Sequence, residues 1–110
     1  MRSLAYWVVS ENGTVVATTG LYRYRGDKQG EVNLGWFCVA PEMRGAGLGR
    51  KVLEWTMMRA QIEGAKTLKL YTSNSSNEAA AQKLYESVGL TVVREEPHGE
   101  YIYMYREKKF

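Results

Sequence analysis

Apolar and polar residues alternate in short stretches of this chain, and twice the period lengthens from that of a strand to that of a helix. Leu4 to Ser10 and Thr14 to Tyr24 are rich in Val, Thr, Tyr and Trp, side chains that suit a pleated, half-buried surface. They flank Glu11-Asn12-Gly13, whose Asn-Gly step tolerates the positive dihedral angles of a tight hairpin, so two antiparallel strands are predicted. The glycine-bounded polar stretch from Gly26 to Gly30 reads as a loop, and Glu31 to Val39 as a third strand stopped at Pro41.

From Ala46 to about Glu63 the residues favour helix, with Leu48, Val52 and Trp55 on one stripe and Leu53, Met57 and Ala60 on another. Gly64 is placed to end it. Thr67 to Thr72 alternates Leu68, Leu70 and Thr72 against Lys69 and Tyr71, the strand that completes a crossover unit. Ser75-Ser76-Asn77-Glu78 fits a capping box opening an alanine-rich helix that runs to Val88 and stops at Gly89. Leu90 to Glu95 and Glu100 to Arg106 then pair around Pro97-His98-Gly99, with Tyr101, Tyr103 and Tyr105 on one face and Ile102 and Met104 on the other. The order β-β-β-α-β-α-β-β describes an α+β domain with a central mixed sheet flanked by helices. No internal repeat interrupts it, and a single domain over residues 1–110 is expected.

A chain of 110 residues is the size of one core. With 45% hydrophobic and 25% charged residues it has neither a disordered nor a fibrous composition. Its longest apolar runs, such as Tyr6 to Val9 and Trp36 to Ala40, fall far short of the roughly 20 residues of a membrane helix, so no membrane partner is expected. Met1-Arg2-Ser3-Leu4 opens without the apolar segment of a secretion leader. The single cysteine, Cys38, excludes a disulfide framework, and a cytoplasmic location is expected. The net charge of +3 comes without a dense basic run, since Arg50-Lys51 and Lys108-Lys109 are merely pairs, so nucleic acid is not an expected partner. His98 is the only histidine and belongs to a hairpin turn, which leaves no metal set and no Cys-His pair. Cys38 is accordingly read as a small buried hydrophobe.

The most informative segment is Val39-Ala40-Pro41-Glu42-Met43-Arg44-Gly45-Ala46-Gly47-Leu48-Gly49, which leaves a predicted strand and enters a predicted helix through three glycines. Glycines let backbone amides approach a ligand, a helix N-terminus supplies unpaired donors, and Arg44 adds a permanent positive charge. The pattern suits an anion, and a pyrophosphate is its natural guest. The spacing is that of neither a Walker loop nor a dinucleotide fingerprint.

Arg44-Gly45-Ala46-Gly47-Leu48-Gly49, following a Val-x-Pro strand end, resembles the acyl-CoA loop of the GNAT N-acetyltransferases, Arg/Gln-x-x-Gly-x-Gly/Ala. Ala81 to Leu90 resembles a later helix of that family with its Leu-Tyr-Glu-x-x-Gly-Phe ending, Leu90 standing where Phe is usual. The resemblance covers Leu4 to Arg106. It implies acetyl-CoA as co-substrate, lying between splayed strands Glu31 to Val39 and Thr67 to Thr72. The pyrophosphate would rest on Arg44, Gly45, Ala46, Gly47, Leu48 and Gly49. The backbone of Phe37, Cys38 and Val39 would hold the pantetheine arm, with Asn77, or Asn74 in its stead, as a further contact.

The implied activity is acetyl transfer to a primary amine by direct attack in a ternary complex, with no metal. Tyr85 occupies the position of the general acid that protonates the departing thiolate, and the strand around Phe37 supplies an amide to the oxyanion. Where some members carry a glutamate this sequence has Asn33, which leaves Glu31, acting through water, as the candidate base. The acceptor is a small-molecule or protein amine. The strand and helices that usually precede the Leu4 to Ser10 element have no counterpart here, and Trp7, Trp36, Trp55 and the tyrosines exceed what a small core hides. A homodimer is therefore expected. The competing reading is a non-catalytic acyl-CoA sensor or partner subunit.

Overall fold

In the computed structural model, which describes residues 2–110 and side chains from Leu4 onward, β1 (Arg2–Glu11) and β2 (Thr14–Arg23) form the expected hairpin. Met1, the first residue of the expected leader-free opening, lies outside the described residues. The turn uses Asn12 at φ +51° and Gly13 at φ +81°, the two positive angles that a two-residue hairpin loop needs. β3 (Glu31–Val39) pairs antiparallel with β2, and after a 3₁₀ turn at Pro41–Met43 the helix α1 (Leu48–Ile62) crosses to β4 (Thr67–Ser73), parallel to β3. A second 3₁₀ turn, Ser76–Glu78, leads into α2 (Ala79–Ser87). The hairpin of β5 (Thr91–His98) and β6 (Tyr101–Lys109) closes the chain, giving one six-stranded sheet in the order β1-β2-β3-β4-β6-β5.

Three local expectations are corrected. α1 begins at Leu48 rather than Ala46, because Gly47 at φ +83° is its N-cap and no residue in that conformation continues a helix. The reciprocal capping box does not close. Ser75 Oγ accepts from the Asn77 amide at 3.3 Å, but the Glu78 carboxylate turns back to the amide (2.9 Å) and hydroxyl of Ser73, and α2 starts only at Ala79. The last hairpin is tighter than expected, with Pro97 inside β5; an edge strand tolerates a residue lacking a backbone donor.

Both helices cover the same face of the sheet. Leu21, Leu34, Leu68 and Leu70 from the strands meet Leu53, Met57 and Ala60 of α1 and Tyr85 of α2 in one cluster. Leu53 and Leu68 are fully buried, and each such leucine contributes about 1.5–3 kcal/mol. A buried hydrogen bond between the Thr19 and Thr56 hydroxyls, 2.9 Å, ties β2 to α1. Strand alternation sends Tyr6, Tyr71, Tyr103 and Tyr105 to the opposite face, which no helix among the described residues covers.

Cys38 is exposed rather than buried, and a bulge explains it. Between the pairs Gly20↔Gly35 and Thr18↔Cys38 the strand β3 carries one residue more than β2, and Trp36 takes up the excess at φ +54°. The bulge resets the alternation and sends both Trp36 and Cys38 to the uncovered face.

Candidate active site

β3 and β4 pair only at Glu31↔Thr67, Val32↔Leu68 and Asn33↔Lys69. Beyond them β3 stays with β2 as far as Ala17↔Val39, and β4 stays with β6 to Ser73↔Tyr103. The parallel strands therefore part from Leu34 and Leu70 onward, next to the bulge, and a cleft of about 230 Å³ opens between them. The edge of β3 facing it has no strand partner, so its backbone donors and acceptors are available to a ligand.

The cleft passes through the sheet. On the helix-covered side its walls are Leu34, Phe37, Leu70, Thr72 and Tyr85; on the uncovered side they are Tyr22, Gly35, Trp36 and Tyr71. Glu78 borders it from the turn before α2.

Tyr85 is 6% exposed and packs against Phe37, and its hydroxyl makes no hydrogen bond to any described residue. Burial pushes its phenol up to about 12, the Glu78 carboxylate adds to the rise and Arg106 opposes it. The hydroxyl is thus a proton donor throughout the neutral range. α2, which carries it, is anchored by Arg106 of β6: Nε donates to Gln82 Oε1 at 3.0 Å, and Nη1 donates to the Leu90 carbonyl at 2.6 Å and to Glu86. Gln82 in turn donates to the Ser73 carbonyl at 2.8 Å and to Thr72. A buried cation with these acceptors fixes the helix to both strands.

The glycine loop lies where β3 hands over to α1. Arg44 Nε donates to the Val39 carbonyl at 3.1 Å, and its terminal nitrogens bond to no described residue. α1 has no side-chain cap and no acidic residue in its first turn, where Arg50 and Lys51 sit instead. Cations there oppose the helix dipole, so this end is electrostatically suited to an anion. Gly45 and Gly47 both stand at φ +83°, and Gly49 allows close packing: a Cβ on it would lie 3.0 Å from Leu84 Cδ2. Together the loop amides, Arg44 and the open strand edge fit the pyrophosphate and pantetheine of acyl-CoA.

Phe37 and Tyr85 are brought to the cleft, and the segment from Arg44 to Gly49 adjoins the end of β3. Glu31 is not brought there and is corrected as a base. Its carboxylate accepts from the Lys28 amide at 2.8 Å and pairs with Lys69 at 3.3 Å, and these two contacts hold it below the ordinary carboxylate range. Asn33 stands beside it, donating to Asp27 at 2.7 Å. Asn77 belongs to the turn before α2 and its amide serves Ser75. Asn74 Oδ1 accepts from the Ile102 amide at 2.8 Å, which commits its side chain to joining β4 to β6. Sequence reasoning missed Trp36, Tyr22 and Tyr71 as cleft walls. Gly35 beside Trp36 was the available signal, because a glycine within a strand marks close approach or a bulge. Among the described residues no group of three His, Cys, Asp or Glu side chains is arranged to hold a metal ion.

A mixed sheet split between two parallel strands, with an anion loop at the head of the crossover helix, is the architecture of the acyl-CoA N-acyltransferases. The model of the acetyltransferase (GNAT) domain matches residues 2–91, and the chain belongs to that family. It is 35% identical over 85 residues to the uncharacterized N-acetyltransferase YjgM of Escherichia coli K12, covering 77% of this chain and 50% of that protein. The chain thus spans about half the length of the curated relative it matches. A GNAT-family structure from Desulfovibrio desulfuricans superposes with a TM-score of 0.86 at 19% identity, over 94% of this chain and 67% of that one. The yncA structure from Salmonella typhimurium, solved with its cofactor acetyl-CoA, gives a TM-score of 0.80 at 24% identity, over 94% and 63%.

Proposed function

We propose that the protein transfers an acetyl group from acetyl-CoA to a primary amine by direct attack in a ternary complex. The observation that carries this is Tyr85: a buried phenol with no described hydrogen-bond partner, held protonated, on the wall of a cleft beside the open edge of β3, the strand that the glycine loop follows.

Acetyl-CoA supplies an acetyl thioester. Arg44 and the amides from Gly45 to Gly49 hold its pyrophosphate, with Leu48 and Ala46 contributing backbone only, and the edge at Phe37, Cys38 and Val39 aligns the pantetheine. Asn77, in the turn before α2, would add a further contact. Backbone amides of that edge stabilise the charge that develops on the carbonyl oxygen. As the amine nitrogen bonds to the carbonyl carbon and the carbon–sulfur bond breaks, Tyr85 gives its proton to the departing sulfur and is reprotonated from solvent. The amine's proton leaves to water, since Glu31 is engaged elsewhere.

Calorimetric titration with acetyl-CoA, followed by an amine screen that reads released thiol, tests the proposal. Binding and turnover, with turnover lost in Tyr85→Phe, are expected. Binding without turnover for any amine would favour an acyl-CoA sensor, the reading to which the captive Glu31 lends support; no binding would overturn both.

A cytoplasmic setting and a homodimer complete the proposal. No helix among the described residues is long and apolar enough to cross a membrane. β1 is an edge strand whose Leu4, Tyr6 and Val8 are exposed, which provides an apolar edge for a second copy. Sedimentation velocity at micromolar concentration tests the dimer, and a single monomer boundary would overturn it.

A further inference from the structure

Trp36 and Asn12 are the two non-glycine residues at positive φ among those described; Asn12 serves a turn, whereas Trp36 stands at the cleft. Backbone strain of this kind marks positions where the surroundings enforce a conformation. Its indole lies over Gly20, where an added Cβ would come within 2.5 Å of Cε3, and the Tyr22 ring lies over Gly35, where a Cβ would come within 2.7 Å. Two glycines in adjacent strands thus make room for two rings, which meet at 5.7 Å and 70°. Tyr71 faces them from β4 across the cleft.

The three rings form a collar on the uncovered face, and Trp36 and Tyr71 are 42% and 48% exposed. Outward from it Tyr71 stacks with Tyr105 at 5.7 Å, and the Arg94 guanidinium rests 3.9 Å from the Tyr105 ring centre. The charged groups nearby are already engaged, Glu78 by hydrogen bonds rather than by an opposite charge. Lys69 holds Asp27 and Glu31, Arg94 pairs with Glu96, and Ser73 engages Glu78. What the mouth offers a ligand is therefore flat π surface, with the Glu78 carboxylate at the border of the cleft.

We infer that this collar is the acceptor subsite and that the acceptor is a primary amine bearing an aromatic ring, stacked between Trp36 and Tyr71 with its amino group in the cleft. The inference rests on the transferase reading for the fate of that amino group. The two sides of the sheet then divide the work: the glycine loop and Tyr85 serve the donor on the helix side, and the aromatic collar admits the acceptor from the other.

The test uses the ¹⁵N-labelled full chain, whose tryptophans are three, titrated with 2-phenylethylamine and with n-butylamine while the Trp36 indole N–H is followed. Trp36→Leu assigns that signal. The signal is expected to respond to the aromatic amine at about tenfold lower concentration, the effect of one ring–ring contact. Tyr71→Ala should raise KM for 2-phenylethylamine by about tenfold or more with acetyl-CoA affinity retained. Equal response to both amines, an unchanged KM in Tyr71→Ala, or a signal silent to both because a second copy covers this face would each overturn the inference. Failure of acetyl-CoA to bind in calorimetry would instead overturn the transferase reading, and the indole titration decides the subsite independently of it.

Discussion

The rings of Phe37 and Tyr85 lie 6.0 Å apart, tilted by 55°, and wall the gap between β3 and β4 on the helix-covered side. One comes from a strand and the other from α2, and both pack against the same core. Core packing and site geometry are thus one feature here: whatever shifts α2 against β3 moves the proposed acid relative to the thioester.

Tyr85→Phe keeps the ring and removes the hydroxyl. We expect kcat to fall by about 10²–10⁴-fold while acetyl-CoA affinity and Tm barely move. Because the phenol is pushed up to about 12, this group imposes no alkaline decline on the wild-type rate below about pH 10. A rate profile turning down near pH 8 with the ionisation of this residue would contradict the assignment.

Arg44→Ala leaves the loop backbone intact but removes a cation beside the proposed pyrophosphate. Charged hydrogen bonds of this kind contribute about 1.5–3 kcal/mol, so acetyl-CoA should bind at least about tenfold more weakly. Calorimetry at two salt concentrations checks it, and the variant should also show a shallower dependence on salt.

Gly47 separates backbone strain from crowding, because a Cβ there would meet nothing within 4 Å while φ is +83°. Gly47→Ala should cost about 1–2 kcal/mol in urea unfolding, and Gly47→Asn, whose side chain is better suited to that conformation, should cost less. Equal costs would mean that crowding rather than the backbone angle dominates.

Lys69 carries the acid sensitivity of the sheet end. Burial would raise the Asp27 carboxyl, but hydrogen bonds from Lys69, the Tyr24 amide and Asn33 outweigh it and hold it below its ordinary 3.8; Glu31 is held below 4.5 by the Lys28 amide and then Lys69. Both folded values are depressed, so this stabilisation is present above those ordinary values and is lost as pH falls through the lower folded ones. Lys69→Met should lower stability by about 1–2 kcal/mol near neutral pH, after discounting for solvent. The difference in Tm from wild type should shrink on acidification toward pH 3, and a constant difference would count against the network.

Arg106→Leu removes a buried cation that Gln82, Glu86 and the Leu90 carbonyl all use. Its loss leaves the Leu90 carbonyl without that donor and should cost about 3 kcal/mol or more in chemical denaturation. Activity per folded molecule should fall as well, since Gln82 also ties α2 to β4.

Much of the fold was legible along the chain because its signals are local. Alternation over Thr67–Thr72, the Asn12-Gly13 turn and Gly64 after α1 each specify dihedral angles within a few residues, and the structure keeps them. The glycine loop and the Leu84-Tyr85-Glu86 segment were readable for the same reason: each is a contiguous run whose pattern does not depend on distant neighbours. Tertiary structure alone decided that both helices cover one face, that a bulge at Trp36 turns Cys38 outward, and that the splay implied by the family resemblance begins after Asn33. Likewise Glu31 reads as an available strand-end carboxylate until folding brings Lys69 to it from the neighbouring strand. Strand order and side-chain capture are settled by partners far apart in sequence, so no local pattern of residues could announce them.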